Sequence, residues 1–182
     1  MFKLKVDDEV ELGLLEERHA QILLDLNEQN RDHLREWLPI YGNLKTLEEN
    51  LNIIKEGLKR FSENNGFQAG IWYKGELAGI FICKYYDWKA KQTEFGYLLG
   101  KAYTGKGIMT RVTRKMTDYA FKELGLNRIE IRCGTGNTAS RAVPERLGFV
   151  QEGILRQSFR LYDQSVDTAL YSMLASEWKD QK

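Results

Sequence analysis

Along the chain the apolar residues recur first every three or four positions, then every second one, and the changes of period mark out the elements. Val10 to Leu15 reads as an opening strand. From about Glu17 to Asn30, the residues Ile22, Leu23, Leu26 and Asn30 fall at helical spacing. A second helical piece ends at Pro39, because proline disfavours helix in the residue before it, here Leu38. A third helix spans about Thr46 to Asn64. Thr46 and Glu49 form its capping box, Leu47, Leu51, Ile54, Leu58 and Phe61 its buried stripe, and Asn64-Asn65-Gly66 its stop. The period then drops to two: FQAGIWY and LAGIFICKYY flank Lys74-Gly75-Glu76 as an antiparallel hairpin. A strand from about Gln92 to Leu99 carries Glu94 and runs into a glycine turn. The helix after the turn, about Gly107 to Leu124, is apolar at Ile108, Val112, Met116, Tyr119, Ala120 and Leu124, and Gly125 stops it. A strand RIEIRCG, a short helix at about Ser140 to Leu147, and strands at about Phe149 to Arg156 and Val166 to Leu174 complete the chain. The expected fold is α/β, a mixed and mostly antiparallel central sheet with helices on both faces, in one domain over residues 1–182.

The glycine turn holds the most specific chemistry. Gly100, Gly105 and Lys106 sit at the spacing of a nucleotide P-loop, but the magnesium-binding Ser or Thr of that motif is Gly107 here. A Rossmann fingerprint fails as well, since its third glycine would stand where Thr110 does. A helix N-terminus still offers unpaired N–H groups and a partial positive charge, so Gly105, Lys106, Gly107 and Ile108 suit an anion that comes without a metal, such as a diphosphate. A tight strand-to-helix connection alone would also explain the glycines.

Charge sharpens this picture. Net charge is only +1, yet residues 101–160 hold 12 Lys and Arg against 5 Asp and Glu, while the rest of the chain holds 15 against 21. A local positive field in an otherwise acidic chain fits a compact polyanion better than a nucleic-acid track, and aromatics do not interleave with these charges. Solvated helix faces are the plainer account of the same charges. Two isolated cysteines, Cys83 and Cys133, in apolar strand-like runs point to a reducing, cytoplasmic compartment and to structural burial rather than nucleophilic use. The opening MFKLKVDDEVE is charged from its third residue, and no apolar run reaches the roughly 20 residues of a membrane span. His19 and His33 lack a second ligand at metal spacing and read as surface helix residues, so no metal is expected.

Three stretches, RDHLREWLP (31–39), GYLLGKAYTGKGIMTRV (96–112) and NTASRAVPERLGFVQEGILR (137–156), together resemble the GNAT N-acetyltransferase superfamily and, within it, the ribosomal-protein-serine N-acetyltransferases. The resemblance follows chain order over nearly the whole sequence. It implies acetyl-CoA as co-substrate, with its pyrophosphate on the turn Tyr103, Thr104, Gly105, Lys106, Gly107 and Ile108. It also implies a pantetheine arm paired with the strand Gly96, Tyr97, Leu98 and Leu99 and met by Asn137. A backbone N–H near Leu98 would stabilise the oxyanion.

Two departures from the family pattern bear on the chemistry. Ala102 stands where members often have Gln or Arg, and Pro144 where many have the tyrosine that protonates the departing thiolate. Ser140 takes that hydrogen bond by resemblance to the ribosomal-protein group; capping the short helix is its alternative role, and the two are compatible. Glu94 stands where members carry a base acting through water, or else it is a solvated edge carboxylate. Trp37 and Tyr41, flanking Pro39, wall the acceptor cleft or belong to the core. The expected reaction is direct acetyl transfer to an amine. The favoured acceptor is the N-terminal α-amine of a protein, plausibly ribosomal, which is partly neutral at cytoplasmic pH where a lysine is not. The alternatives are a small amine, such as a polyamine or an antibiotic, and a non-catalytic CoA-binding module. Neither nucleic acid nor membrane is an expected partner, and a homodimer is the assembly considered.

Overall fold

The computed structural model describes residues 3–178, so Met1 and Phe2 of the charged opening lie outside it. Eight strands are present among the described residues: β1 (Lys3–Lys5), β2 (Val10–Leu14), β3 (Phe67–Tyr73), β4 (Glu76–Asp87), β5 (Gln92–Leu99), β6 (Arg128–Gly134), β7 (Val150–Leu161) and β8 (Gln164–Leu174). They form one sheet in the order β1-β2-β3-β4-β5-β6-β8-β7. Every neighbouring pair is antiparallel except β5 and β6. That exception follows from the helix between them, since parallel neighbours need a crossover.

The helices are α1 (Ala20–Gln29), α2 (Arg31–Arg35), α3 (Pro39–Asn43), α4 (Leu47–Ser62), α5 (Ile108–Lys122) and α6 (Thr138–Arg146). On one face of the sheet α5 and α6 lay Ile108, Val112, Met116, Ala120, Val143 and Leu147 against Phe81, Phe95, Ile129, Ile131 and Tyr171. On the other face Leu23, Leu26, Leu34, Tyr41 and Ile54, from α1 to α4, cover Leu77, Ile80 and Leu98. Each such aliphatic side chain contributes about 1.5–3 kcal/mol by leaving water. Among the described residues no helix is long and apolar enough to cross a membrane.

The mixed sheet with helices on both faces is as the sequence implied; several local expectations are corrected. The first helix is broken, starting as a 3-10 turn at Glu17–His19 and ending at Gln29. Asn30 leaves it because its side chain donates to the Leu26 carbonyl and accepts from the Lys101 N–H. Pro39 opens α3 rather than closing a helix, in the first-turn position where a missing N–H costs nothing. The capping box of α4 is present, but Leu47 and Phe61 at the ends of its stripe are 46% and 44% exposed. His19 is not on the surface. It is buried, its Nδ1 accepts the Glu16 N–H at 3.0 Å, and its ring meets Trp72 edge-on. Burial of the ring holds its pKa below the ordinary value. β1 had no signal, and β7 runs on to Leu161 in a hairpin with β8.

Candidate active site

The site begins where two strands part. Parallel pairing of β5 with β6 runs from Gln92↔Arg128 to Phe95↔Ile131 and stops there. Beyond that point β5 is held only by β4 and β6 only by β8, which leaves a wedge between Gly96–Leu99 and Arg132–Gly134. The register says which backbone groups face the wedge. The Gly100 N–H donates to the Ala78 carbonyl at 2.8 Å, and the ladder then alternates, so Leu98 and Gly96 exchange their bonds with Ile80 and Ile82. The Leu98 carbonyl lies so near Gly79 that a Cβ there would be 2.2 Å from it. Tyr97 and Leu99 therefore point their N–H and C=O into the wedge. Of the amides near Leu98, that of Leu98 itself belongs to β4, and those of Tyr97 and Leu99 face the wedge.

After the wedge the chain makes a 3-10 turn at Lys101–Tyr103 and enters α5 through two left-handed glycines, Gly105 (φ 74°) and Gly107 (φ 70°). A Cβ at either would meet nothing within 4 Å, so the need for glycine is conformational. Gly107 is the N-cap, no side chain caps the helix, and no acidic residue stands in the first turn, so the leading amides of α5 remain available to an anion. The turn is anchored from outside. Asn30 holds the Lys101 N–H at 2.7 Å, the Tyr103 hydroxyl donates to Glu76 at 3.0 Å, and the Lys106 ammonium stands 5.5 Å from the ring centres of Tyr73 and Tyr103. Periodicity gave no hint of the first link, because Asn30 reads as one more position on a helix face.

On the opposite lip, α6 starts at Thr138 with Asn137 as its N-cap, whose Oδ1 accepts the Ser140 N–H at 3.0 Å. Ser140 is thus not the cap, and its hydroxyl lies 3.2 Å from the Cys133 sulfur. Pro144 lies inside α6 and lacks the N–H that would bond the carbonyl four residues back, that of Ser140. The Tyr97 hydroxyl donates to this carbonyl instead, at 3.0 Å, and ties β5 to α6. Burial pushes both the Tyr97 hydroxyl and the Cys133 thiol up, so each keeps its proton at neutral pH.

Glu94 is only 6% exposed, which removes the solvated-edge alternative. Lys84 bonds one of its oxygens and the Arg132 Nε stands 3.6 Å from the other. Arg132 also reaches Glu130 at 3.0 Å, and Arg128 joins Glu130 to Glu152. Trp37 packs close against Gly134 and Gly136, while Tyr41 is buried, its hydroxyl pushed up to about 12 by burial. Tyr162 at the tip of the β7–β8 hairpin donates to the Arg35 carbonyl at 2.7 Å, bridging the hairpin to α2. One cleft of about 950 Å³ joins these parts, and every site residue named from the sequence lines it, from Lys106 and Gly107 through Tyr97 and Ser140 to Glu94, Trp37 and Tyr41. Among the described residues no group of His, Cys, Asp or Glu is arranged to hold a metal ion.

A family model described as an acetyltransferase (GNAT) domain matches residues 10–150. The chain belongs to the GNAT acetyltransferases. It is 37% identical to YdaF of Bacillus subtilis, provisionally named a ribosomal N-acetyltransferase, over the full length of both chains. The acetyltransferase MccE, a microcin C7 self-immunity protein solved with acetyl-CoA and AMP, superposes with TM-score 0.90 at 27% identity, covering 94% of this chain and 95% of that one. A Salmonella typhimurium acetyltransferase that modifies the N-terminal serine of a 50S ribosomal subunit protein superposes with TM-score 0.87 at 25% identity, covering 95% and 99%. This GNAT chain is accordingly an N-acetyltransferase, and its capless helix start, positive-φ glycines and parted strands suit a CoA-type ligand without metal.

Proposed function

We propose that this enzyme acetylates the N-terminal α-amine of a protein, with a ribosomal protein as the favoured acceptor. The observation that carries the reading is the single cleft that joins the anion-binding turn to the enclosed carboxylate of Glu94. Acetyl-CoA supplies an acetyl thioester. The amides of Gly105 to Ile108, with Lys106, hold its diphosphate, and the wedge-facing backbone of Tyr97 and Leu99, with Asn137, holds its arm. An N–H on that strand edge stabilises negative charge on the acetyl oxygen. Glu94, the sole acidic side chain lining the cleft among the described residues, takes the proton that the amine sheds, through water, and the Ser140 hydroxyl hydrogen-bonds the departing sulfur. An α-amine, at about 7.7–8.0, needs little help to be neutral, whereas a lysine near 10.4 needs much more.

The acceptor end favours this reading over a polyamine. Among the charged side chains there, Lys84 and Arg132 are 45% and 42% exposed, whereas Glu94 beneath them is 8% exposed, which is the wrong polarity for a polycation. The bond from Tyr162 to Arg35 ties the β7–β8 hairpin to α2, two elements whose Phe159 and His33 line the cleft. Incubating candidate ribosomal proteins with the enzyme and acetyl-CoA, then locating the acetyl group by mass spectrometry, tests it. Acetyl on N-terminal residues is the expected result, and acetyl only on lysines or only on spermidine overturns the acceptor.

A further inference from the structure

We infer that Lys84 and Arg132 form a carboxylate-recognition pair, and that the acceptor is a protein whose first few residues after the reacting amine are acidic. The inference rests on the α-amine reading above and adds to it the chemical class of the acceptor.

The geometry behind it is a stack of charge on the open face of the sheet. Glu94 of β5 and Glu130 of β6 are register partners, both buried; Glu94 lines the acceptor end and Glu130 lies beside it. Lys84 of β4 and Arg132 of β6 lie over them, bonded to them below and exposed above. The floor thus presents cations to anything entering, while its carboxylates are turned inward. The wider network, Lys84, Arg132 and Arg128 with Glu94, Glu130 and Glu152, carries three charges of each sign. An entering amine adds positive charge beside a neutral set of which only Lys84, Arg132 and Glu94 line the cleft, the two cations half-exposed there and the carboxylate buried. A carboxylate carried by the same acceptor offsets that charge by pairing with the exposed ammonium and guanidinium, and a carboxylate suits the fork of Arg132. Lys84 and Arg132 both touch Glu94, and an extended residue spans about 3.3–3.6 Å, so an acceptor whose amine approaches Glu94 through water carries its second side chain about two such steps or less from the two cations. Partly exposed pairs of this kind set partner choice more than total affinity.

The test uses three peptides with a free N-terminal serine that are identical except for residues two and three, which are Asp-Asp, Asn-Asn or Lys-Lys. For the unaltered enzyme kcat/KM is expected to be about tenfold higher for the Asp peptide than for the Asn peptide, and lowest for the Lys peptide. Lys84→Gln and Arg132→Gln should each reduce the Asp-to-Asn ratio, and Lys84→Glu should shift preference toward the Lys peptide. Because the readout is a ratio within one variant, a general loss of rate does not imitate it. A thermal shift with CoA confirms that each variant is folded. Equal rates for the three peptides, or a ratio that both glutamine variants leave intact, overturn the inference while the α-amine reading stands. If no peptide is acetylated at its N-terminus, the α-amine reading falls and takes this inference with it.

Discussion

Substituting alanine for Gly134 tests whether Trp37 forms the wall of the acceptor end. A Cβ at residue 134 would stand 2.6 Å from Cζ3 and 2.9 Å from Cε3 of the indole, well inside the 3.4 Å at which ordinary contact begins. Trp37 also lies close to Gly136, where a Cβ would stand 3.0 Å from Cη2. The ring must therefore lift off β6 by roughly 0.5–1 Å, toward the cleft that it lines, and overpacking of this size costs about 1–3 kcal/mol. Trp37 is half-buried, which puts the cost at the lower end. For a chain of this length about 1 kcal/mol lowers Tm by about 2–4 °C. Steady-state kinetics should show the acceptor KM raised several-fold and the acetyl-CoA KM unchanged, since the phosphate turn lies at the other end of the cleft. Trp37→Phe in the Gly134→Ala background removes the overlapping ring atoms and should restore both Tm and acceptor KM. If Tm falls while the acceptor KM stays put, Trp37 only packs, and the reasoning that gives it the acceptor fails.

Three further outcomes are expected. Gly107→Ala forces a left-handed residue to carry a Cβ, at about 1–2 kcal/mol, and should weaken CoA binding in calorimetry, whereas Gly153→Ala, where a Cβ meets nothing and φ is not left-handed, should change neither stability nor binding. Tyr97→Phe strands the Ser140 carbonyl at a cost of about 1–3 kcal/mol in chemical denaturation, and adding Pro144→Ala should recover much of it by returning an intrahelical N–H. Glu152 is held down to about 2 by its hydrogen bonds with Arg128 and then Ser172, so its contribution is present above its ordinary 4.5 and is lost as pH falls toward 2; the Tm gap between the native chain and Glu152→Gln should shrink across that window and hold constant from pH 5 to 7.

The donor half of the site was legible because its information is local. A strand, two glycines and an amphipathic helix are adjacent in the chain, and the missing P-loop hydroxyl at Gly107 already excluded a magnesium-bound nucleotide. What escaped depends on contacts between distant segments. Nothing near Asn30 says that it leaves its helix to hold Lys101, and nothing near His19 says that it turns inward to Trp72. The sequence could say only that an N–H near Leu98 faces the ligand, because alternation gives two phases and only the pairing with β4 selects one. β7 was cut short for a similar reason: its register shifts between Gln151 and Gly153 and between Leu155 and Phe159, with Gln157 at positive φ, and the period-two pattern does not survive such bulges. Ser140 was taken as a potential cap because Asn137, three residues earlier, has the same competence, and only the position of the first helical turn separates them.

The parting of β5 from β6 has a consequence for how such an enzyme diverges. Most of the thioester side comes from one uninterrupted stretch, β5 through α5, joined by Asn137 and Ser140 at the start of α6, while the opposite side draws on remote pieces, α2 and α3 early in the chain and the β7–β8 hairpin near its end. Insertions or exchanges in those outlying pieces can redraw the clientele without disturbing the grip on the coenzyme. A lineage built on this plan can change its targets by editing its periphery and leave the engine alone.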